Sequence, residues 1–159
     1  MPISKKFMIA SVTSLALATS VFAASHASKE AQAAVKARQS HMQLYSFNLG
    51  ILGGMAKGNM DYNAEAAGAA AANLAALANM NQMAYWVGGS DSETVEGSRT
   101  LASMWDNIPD AIAKSQALAT AATAMAEVAG TDLAALQGAM GAVGGSCGAC
   151  HKAYRAPKS

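Results

Sequence analysis

Residues 29–57, KEAQAAVKARQSHMQLYSFNLGILGGMAK, read as one long helix. Val35, Met42, Tyr45, Leu49 and Leu52 recur at helical spacing, and Gly58 follows as a C-terminal stop. The chain then turns at Asp61-Tyr62-Asn63, with an N-cap, into a second helical stretch from Ala64 to Tyr85. There Ala67, Ala71, Leu74, Leu77, Ala78 and Met83 form a face of mostly small residues that lets another helix approach closely. Gly88-Gly89-Ser90-Asp91-Ser92 breaks the pattern and predicts a loop over 87–104. A third helix is expected from near Asp106, running through Ile112, Leu118, Ala122 and Met125 to a stop at Gly130. Pro109 is tolerated in its first turn, where backbone N–H groups have no intrahelical acceptor. Thr131 or Asp132 caps a fourth helix, which carries Leu133, Leu136, Met140 and Val143 and continues to about Tyr154. Four amphipathic helices with mostly short links, and no competing strand pattern, predict an all-α fold: an antiparallel four-helix bundle.

Composition narrows the function classes. The 159 residues carry 11 Lys and Arg against 10 Asp and Glu, and 13% are charged. That is about half the usual charged fraction of ~25%. A net charge near zero argues against a nucleic-acid binder, which needs a surplus of cations to neutralise phosphates. With 52% hydrophobic residues and no one-sided charge, the chain is not expected to be disordered.

The N-terminus reads as an export signal. Lys5 and Lys6 precede an apolar stretch from Phe7 to Val21, and Val21-Phe22-Ala23 places small residues at the two positions a signal peptidase reads. The stretch is shorter than the ~20 apolar residues a membrane span requires. The expected organisation is therefore a signal peptide over 1–23 and one domain over 24–159, located in the periplasm and without a membrane span. Without Lys5 and Lys6, nine Lys and Arg face ten Asp and Glu, a net charge of −1.

The only two cysteines lie in Cys147-Gly148-Ala149-Cys150-His151, the C-x-x-C-H pattern of c-type haem attachment. On a helix, positions i, i+3 and i+4 share a face, so both thiols can add to the haem vinyl groups while His151 reaches the iron from the same side. Gly144, Gly145 and Gly148 remove side-chain bulk where a flat macrocycle must lie. A disulfide across two residues is strained and closes too small a loop to restrain the unfolded chain much. A thioredoxin-like pair belongs at a strand-to-helix junction, and none is visible. A zinc site lacks a fourth ligand, since His26 and His41 are the only other histidines. One covalent haem c is the expected cofactor.

A haem motif on the last helix of a small exported bundle resembles cytochrome c′ and its low-spin relatives. The matching residues are Cys147-x-x-Cys150-His151-x-x-Tyr154-Arg155 and, in the first helix, Val35-Lys36-x-Arg38-Gln39-Ser40. Met55-Ala56-Lys57-Gly58 with Tyr62-Asn63-Ala64 resembles the family's first interhelix turn. The resemblance spans most of 29–157; the loop 87–104 departs from the pattern, so no haem contact is carried over there. It implies that His151 is the proximal ligand, that Met42 faces the iron from the other side, and that Arg38 and Gln39 lie beside the haem propionates. Bottom-up, Arg38, Met42, Tyr45, Ser46 and Leu49 share one stripe, so Met42 is expected to point inward. A guanidinium in that stripe needs an anionic partner. His41 lies ~100° around the helix from Met42, so both cannot face the iron. It is expected to be partly exposed or bonded to a neighbouring helix.

Two readings of the distal side remain open. A ligating Met42 makes a periplasmic single-haem electron carrier that serves redox partner proteins. A non-ligating Met42 leaves five-coordinate, high-spin iron under an apolar lid, suited to binding NO or CO. Enzyme activity is not expected: a peroxidase needs a distal acid–base group, and His41 faces the wrong way. The family also implies a homodimer through the first two helices, which their small-residue faces support.

Overall fold

The structure, a computed structural model, describes residues 27–157. The expected signal peptide at 1–23 lies outside the described residues. Helix α1 spans Lys29–Ala56, α2 Ala64–Asn79, α3 Ser103–Asp106, α4 Ile108–Val128 and α5 Leu133–Tyr154. Neighbours around the bundle are α1–α2, α2–α4, α4–α5 and α5–α1, so the four long helices form the expected antiparallel bundle, and α3 is a short turn leading into α4.

The helix ends follow local chemistry. Ser28, Asn63 and Asp132 cap α1, α2 and α5, their side-chain oxygens accepting the N–H groups of Ala31, Ala66 and Ala135. Gly58 ends α1 with φ of 75°, a conformation open to glycine without Cβ strain. Helix α2 stops at Asn79, six residues before the expected end at Tyr85. The Asn79 side chain donates to the Ala75 carbonyl, and the Asn81 side chain accepts the Met83 N–H. These side chains offer the backbone local partners that compete with continued helix, and a single 3-10 turn, Met83–Tyr85, follows. The third helical segment starts earlier than near Asp106, because α3 precedes a break at Asn107.

Leu52, Leu74, Met125, Leu136 and Val143 form the fully buried centre. Ala67, Ala71, Ala122 and Ala129 pack in the same cluster and bring α2 close to α4. At the turn end a Cβ on Gly130 would lie 3.1 Å from the Ala64 carbonyl oxygen, so a larger residue there would push the two backbones apart by a few tenths of an ångström. Along α1, however, the buried stripe is Val35, Arg38, His41, Tyr45, Asn48, Leu52 and Met55. Its middle is polar. Tyr45 Oη accepts from Gln82, and Asn48 Oδ1 accepts from Asn73 of α2.

His41 corrects the expected exposure: it is only 4% exposed. Its ring meets the Tyr45 ring edge-on at 4.7 Å and lies 5.8 Å from Tyr85, while Nε2 has no hydrogen-bond partner. Burial holds its pKa below the ordinary imidazole value, opposed only in part by the backbone of Leu77 in α2. A folded-state pKa below the unfolded one means that the unfolded chain takes up the proton more readily. The resulting stability is present above the unfolded pKa of about 6.5 and is lost as pH falls toward the lower folded value. The thermal midpoint of the wild type should therefore drop between pH 7 and pH 5, and His41→Leu should flatten that drop when both are followed by circular dichroism.

Candidate haem site

Cys147, Cys150 and His151 occupy the last two turns of α5 on one face. Both cysteines are free thiols, half-buried, and burial pushes the pKa of each thiol up. Burial is also the main cause holding the His151 pKa down, with the charges of Arg155 and Arg99 adding to it. The imidazole is therefore neutral at pH 7, the form that can ligate a metal. Beside this face runs a stripe without side chains: Gly141, Gly144, Gly145 and Gly148, at i, i+3, i+4 and i+7. A Cβ added at any of the four would meet nothing within 4 Å. Two neutral thiols, a neutral imidazole and a bare flank fit a planar macrocycle attached through two thioethers. Among the described residues no cluster of His, Cys, Asp and Glu is arranged to hold a free metal ion.

Helix α1 runs alongside this segment in the opposite direction. Gln137 near the start of α5 donates to the Ala56 carbonyl at the end of α1 at 2.8 Å. Ten residues further along α5, Cys147 packs against the cluster that contains Tyr45, and a charge on its thiol would add to the burial that raises the Tyr45 pKa to about 12. Counted from the Gln137–Ala56 bond, Met42 lies fourteen residues back along α1 and His151 fourteen residues on along α5, toward the same end of the bundle. At 1.5 Å per residue their axial positions agree to within about 2 Å.

Met42 itself lies beside the buried stripe, not in it, and is 36% exposed. The stripe alternates steps of three and four through Arg38, His41 and Tyr45, which leaves Met42 about 100° away. This corrects the expectation that Met42 shares the inward stripe. Arg38 is 5% exposed and reaches into the loop, where Nη1 donates to the Tyr85 carbonyl and Ser90 Oγ, both at 2.7 Å. Its Nη2 donates to the Ser90 carbonyl at 2.6 Å and to Ser98 Oγ at 3.4 Å. The guanidinium also lies 4.8 Å from the centre of the Trp86 ring, and Asp91 is close enough to raise its pKa against desolvation. Gln39 is exposed and donates to the Gly97 carbonyl at 2.9 Å. The partner that a buried guanidinium requires is thus supplied by the loop. Sequence reasoning missed Ser90 and Ser98, both buried; in a Gly- and Ser-rich segment, nothing local separates a buried serine from a solvated one.

Residues 33–155 match the family described as Cytochrome C′. Cytochrome c-554 of Cereibacter sphaeroides is 41% identical over 121 residues, covering 76% of this chain and 91% of that protein. Cytochrome c′ of the same species is 31% identical over 129 residues, covering 81% and 87%. The solved cytochrome c′ from Rhodobacter Spheriodes superimposes with a TM-score of 0.78 at 33% identity, over 80% of this chain and 98% of that one.

The chain belongs to the cytochrome c′ family. Its cofactor is covalent haem c, for which Cys147 and Cys150 are the only thiols in the chain. Mass spectrometry of the purified holoprotein should give the polypeptide plus one haem, retained through acid–acetone extraction. Haem released into the solvent would exclude thioether attachment.

Proposed function

We propose that the protein is a periplasmic single-haem electron carrier in which His151 and Met42 are the two axial ligands. The shared axial level of Met42 and His151 on antiparallel α1 and α5 is the observation that carries this reading. When bound, haem supplies a one-electron couple, and a thioether axial ligand raises its potential. In this reading Cys147 and Cys150 hold the haem by thioethers and His151 presents a neutral imidazole from α5. Met42 presents its thioether from α1, where nothing in the buried stripe claims its side chain. Arg38 and Gln39, about one turn from Met42 on α1, are the residues that would lie on the propionate side, with the Arg38 Nη groups bonded to Tyr85, Ser90 and Ser98 and Gln39 bonded to Gly97.

His41, whose buried Nε2 has no hydrogen-bond partner, is enclosed by Tyr45 and Tyr85. Among the described residues no helix is long and apolar enough to cross a membrane; export by a cleaved signal over 1–23 belongs to the same reading. A homodimer through α1 and α2 fits the outer surface of α1, where Leu44 and Phe47 are exposed.

Wild-type ferric protein should give a low-spin EPR signal, and the ferrous protein should resist CO. Met42→Ala should be high-spin and bind CO readily. A wild type that is already high-spin, and takes up CO or NO readily, selects the five-coordinate gas-binding alternative, with Met42 as a steric lid. For the dimer, Phe47→Glu should convert a two-chain species to one chain by sedimentation velocity; an unchanged sedimentation coefficient rejects that interface.

A further inference from the structure

The segment Ser90–Leu101 is bonded to α1 through Arg38 and Gln39, packs Val95 on Ala31 and Val35, and is bonded by its last residues to the end of α5. Ser90 and Ser98 are locked together by the bond from Ser98 Oγ to the Ser90 carbonyl at 2.9 Å, and both accept from the Arg38 guanidinium. The very next residues pair with the end of α5. Ala156 N–H donates to the Arg99 carbonyl at 2.8 Å, and Leu101 N–H donates to the Tyr154 carbonyl at 2.9 Å. Thr100 and Arg155 form the antiparallel bridge between them. Arg99 Nε adds a bond to the Ala156 carbonyl at 3.0 Å. A single peptide link, Ser98–Arg99, therefore separates the attachment to α1 from the attachment to α5.

The level of this link follows from the same antiparallel register. Starting from Tyr45 beside Cys147, Arg38 lies seven residues along α1 and Tyr154 seven residues along α5, toward the same end of the bundle. The strap thus joins the two helices directly, about one turn beyond the level of Met42 and His151. At the opposite end α1 and α5 are joined by the bond from Gln137 to the Ala56 carbonyl. The strap is a direct hydrogen-bonded link between α1 and α5 at the end that carries the haem-binding residues.

The geometry points to Arg38, Ser90 and Ser98 as positioning residues that set the separation of α1 from α5, and through it how closely the Met42 side chain approaches the iron held by His151. This deepens the proposed electron-carrier reading and rests on it. Arg38 then acts through the fork of its guanidinium, which meets acceptors on both sides, and not through its charge alone. A lysine keeps the charge but presents a point donor that cannot bridge the Tyr85 and Ser90 carbonyls together.

The test uses the holoprotein and two independent cuts of the strap: Arg38→Lys, and the double variant Ser90→Ala with Ser98→Ala, which leaves every charge in place. Each should increase the high-spin fraction in the ferric EPR spectrum and speed CO association to the ferrous protein by about tenfold. In a Met42→Ala background, the same changes should add nothing. Ser98→Ala alone serves if the double variant does not fold, with a smaller shift in the same direction. Folded variants with unchanged spin state and CO association would overturn the positioning role and leave the strap merely structural. A shift in Arg38→Lys that the serine variants lack would overturn it as well, by assigning the effect to a contact of Arg38 outside the loop. If the wild type itself proves high-spin, Met42 ligation fails independently. CO association then decides the strap alone, with tenfold acceleration supporting it and an unchanged rate overturning it.

Discussion

A charged guanidinium in the interior is tolerable only if its donors are met, because an unpaired buried charge costs several kcal/mol. Arg38 meets that demand with the Tyr85 and Ser90 carbonyls and the Ser90 and Ser98 hydroxyls. The requirement runs in both directions. The arginine needs the loop, and the Gly- and Ser-rich loop gets part of its path from the arginine and part from Val95, which packs on Ala31 and Val35 of α1. Ser90 donates to the Val87 carbonyl while accepting from Arg38, and Asp91 accepts the N–H groups of Glu93 and Thr94, so the turn continues from the clamp outward. The end of the bundle that bears the haem motif is organised around this one side chain.

The far end of the bundle relies on a different constraint. There Ala67, Ala71, Ala122 and Ala129 let helices approach closely, Gly68 and Gly130 meet backbone to backbone, and Tyr62 donates to the Ala129 carbonyl. Small residues give intimate contact at little cost in side-chain entropy. Toward the haem-binding end α1 carries polar groups inside: His41, Tyr45 and Asn48 replace the aliphatic residues found deeper in the core. The division leaves the closely packed end to hold the fold and the looser end to accommodate a cofactor and its distal side chain.

Much of the helical layout was legible because it rests on local signals. Gly58, Asn63 and Asp132 act where their chemistry predicts, and the last helix ends at Tyr154 as expected. The early end of α2 was hidden because Asn79 and Asn81 are weak breakers whose effect depends on the side-chain bonds they find. The stripe of α1 was misjudged at one position. A period of 3.6 lets either Met42 or His41 fill the place between Arg38 and Tyr45, and hydrophobicity favours Met. Tertiary contacts chose His41, whose flat ring fits between Tyr45 and Tyr85.

Covalent chemistry needs particular atoms at particular spacing, so Cys147, Cys150 and His151 announce the haem from the chain alone, and their place on the last helix, with Arg38 and Gln39 on the first, points to the family. The four helices are equally local, since caps, stops and apolar period act within a few residues of one another. The identity of Arg38's partners is of another kind. Its acceptors lie 47 to 60 residues away in sequence, and no period or motif links residues so distant. Only packing α1 against α5 with the loop folded across both could show that Ser90 and Ser98 close the bundle beside Met42, because that placement depends on many long-range contacts forming together.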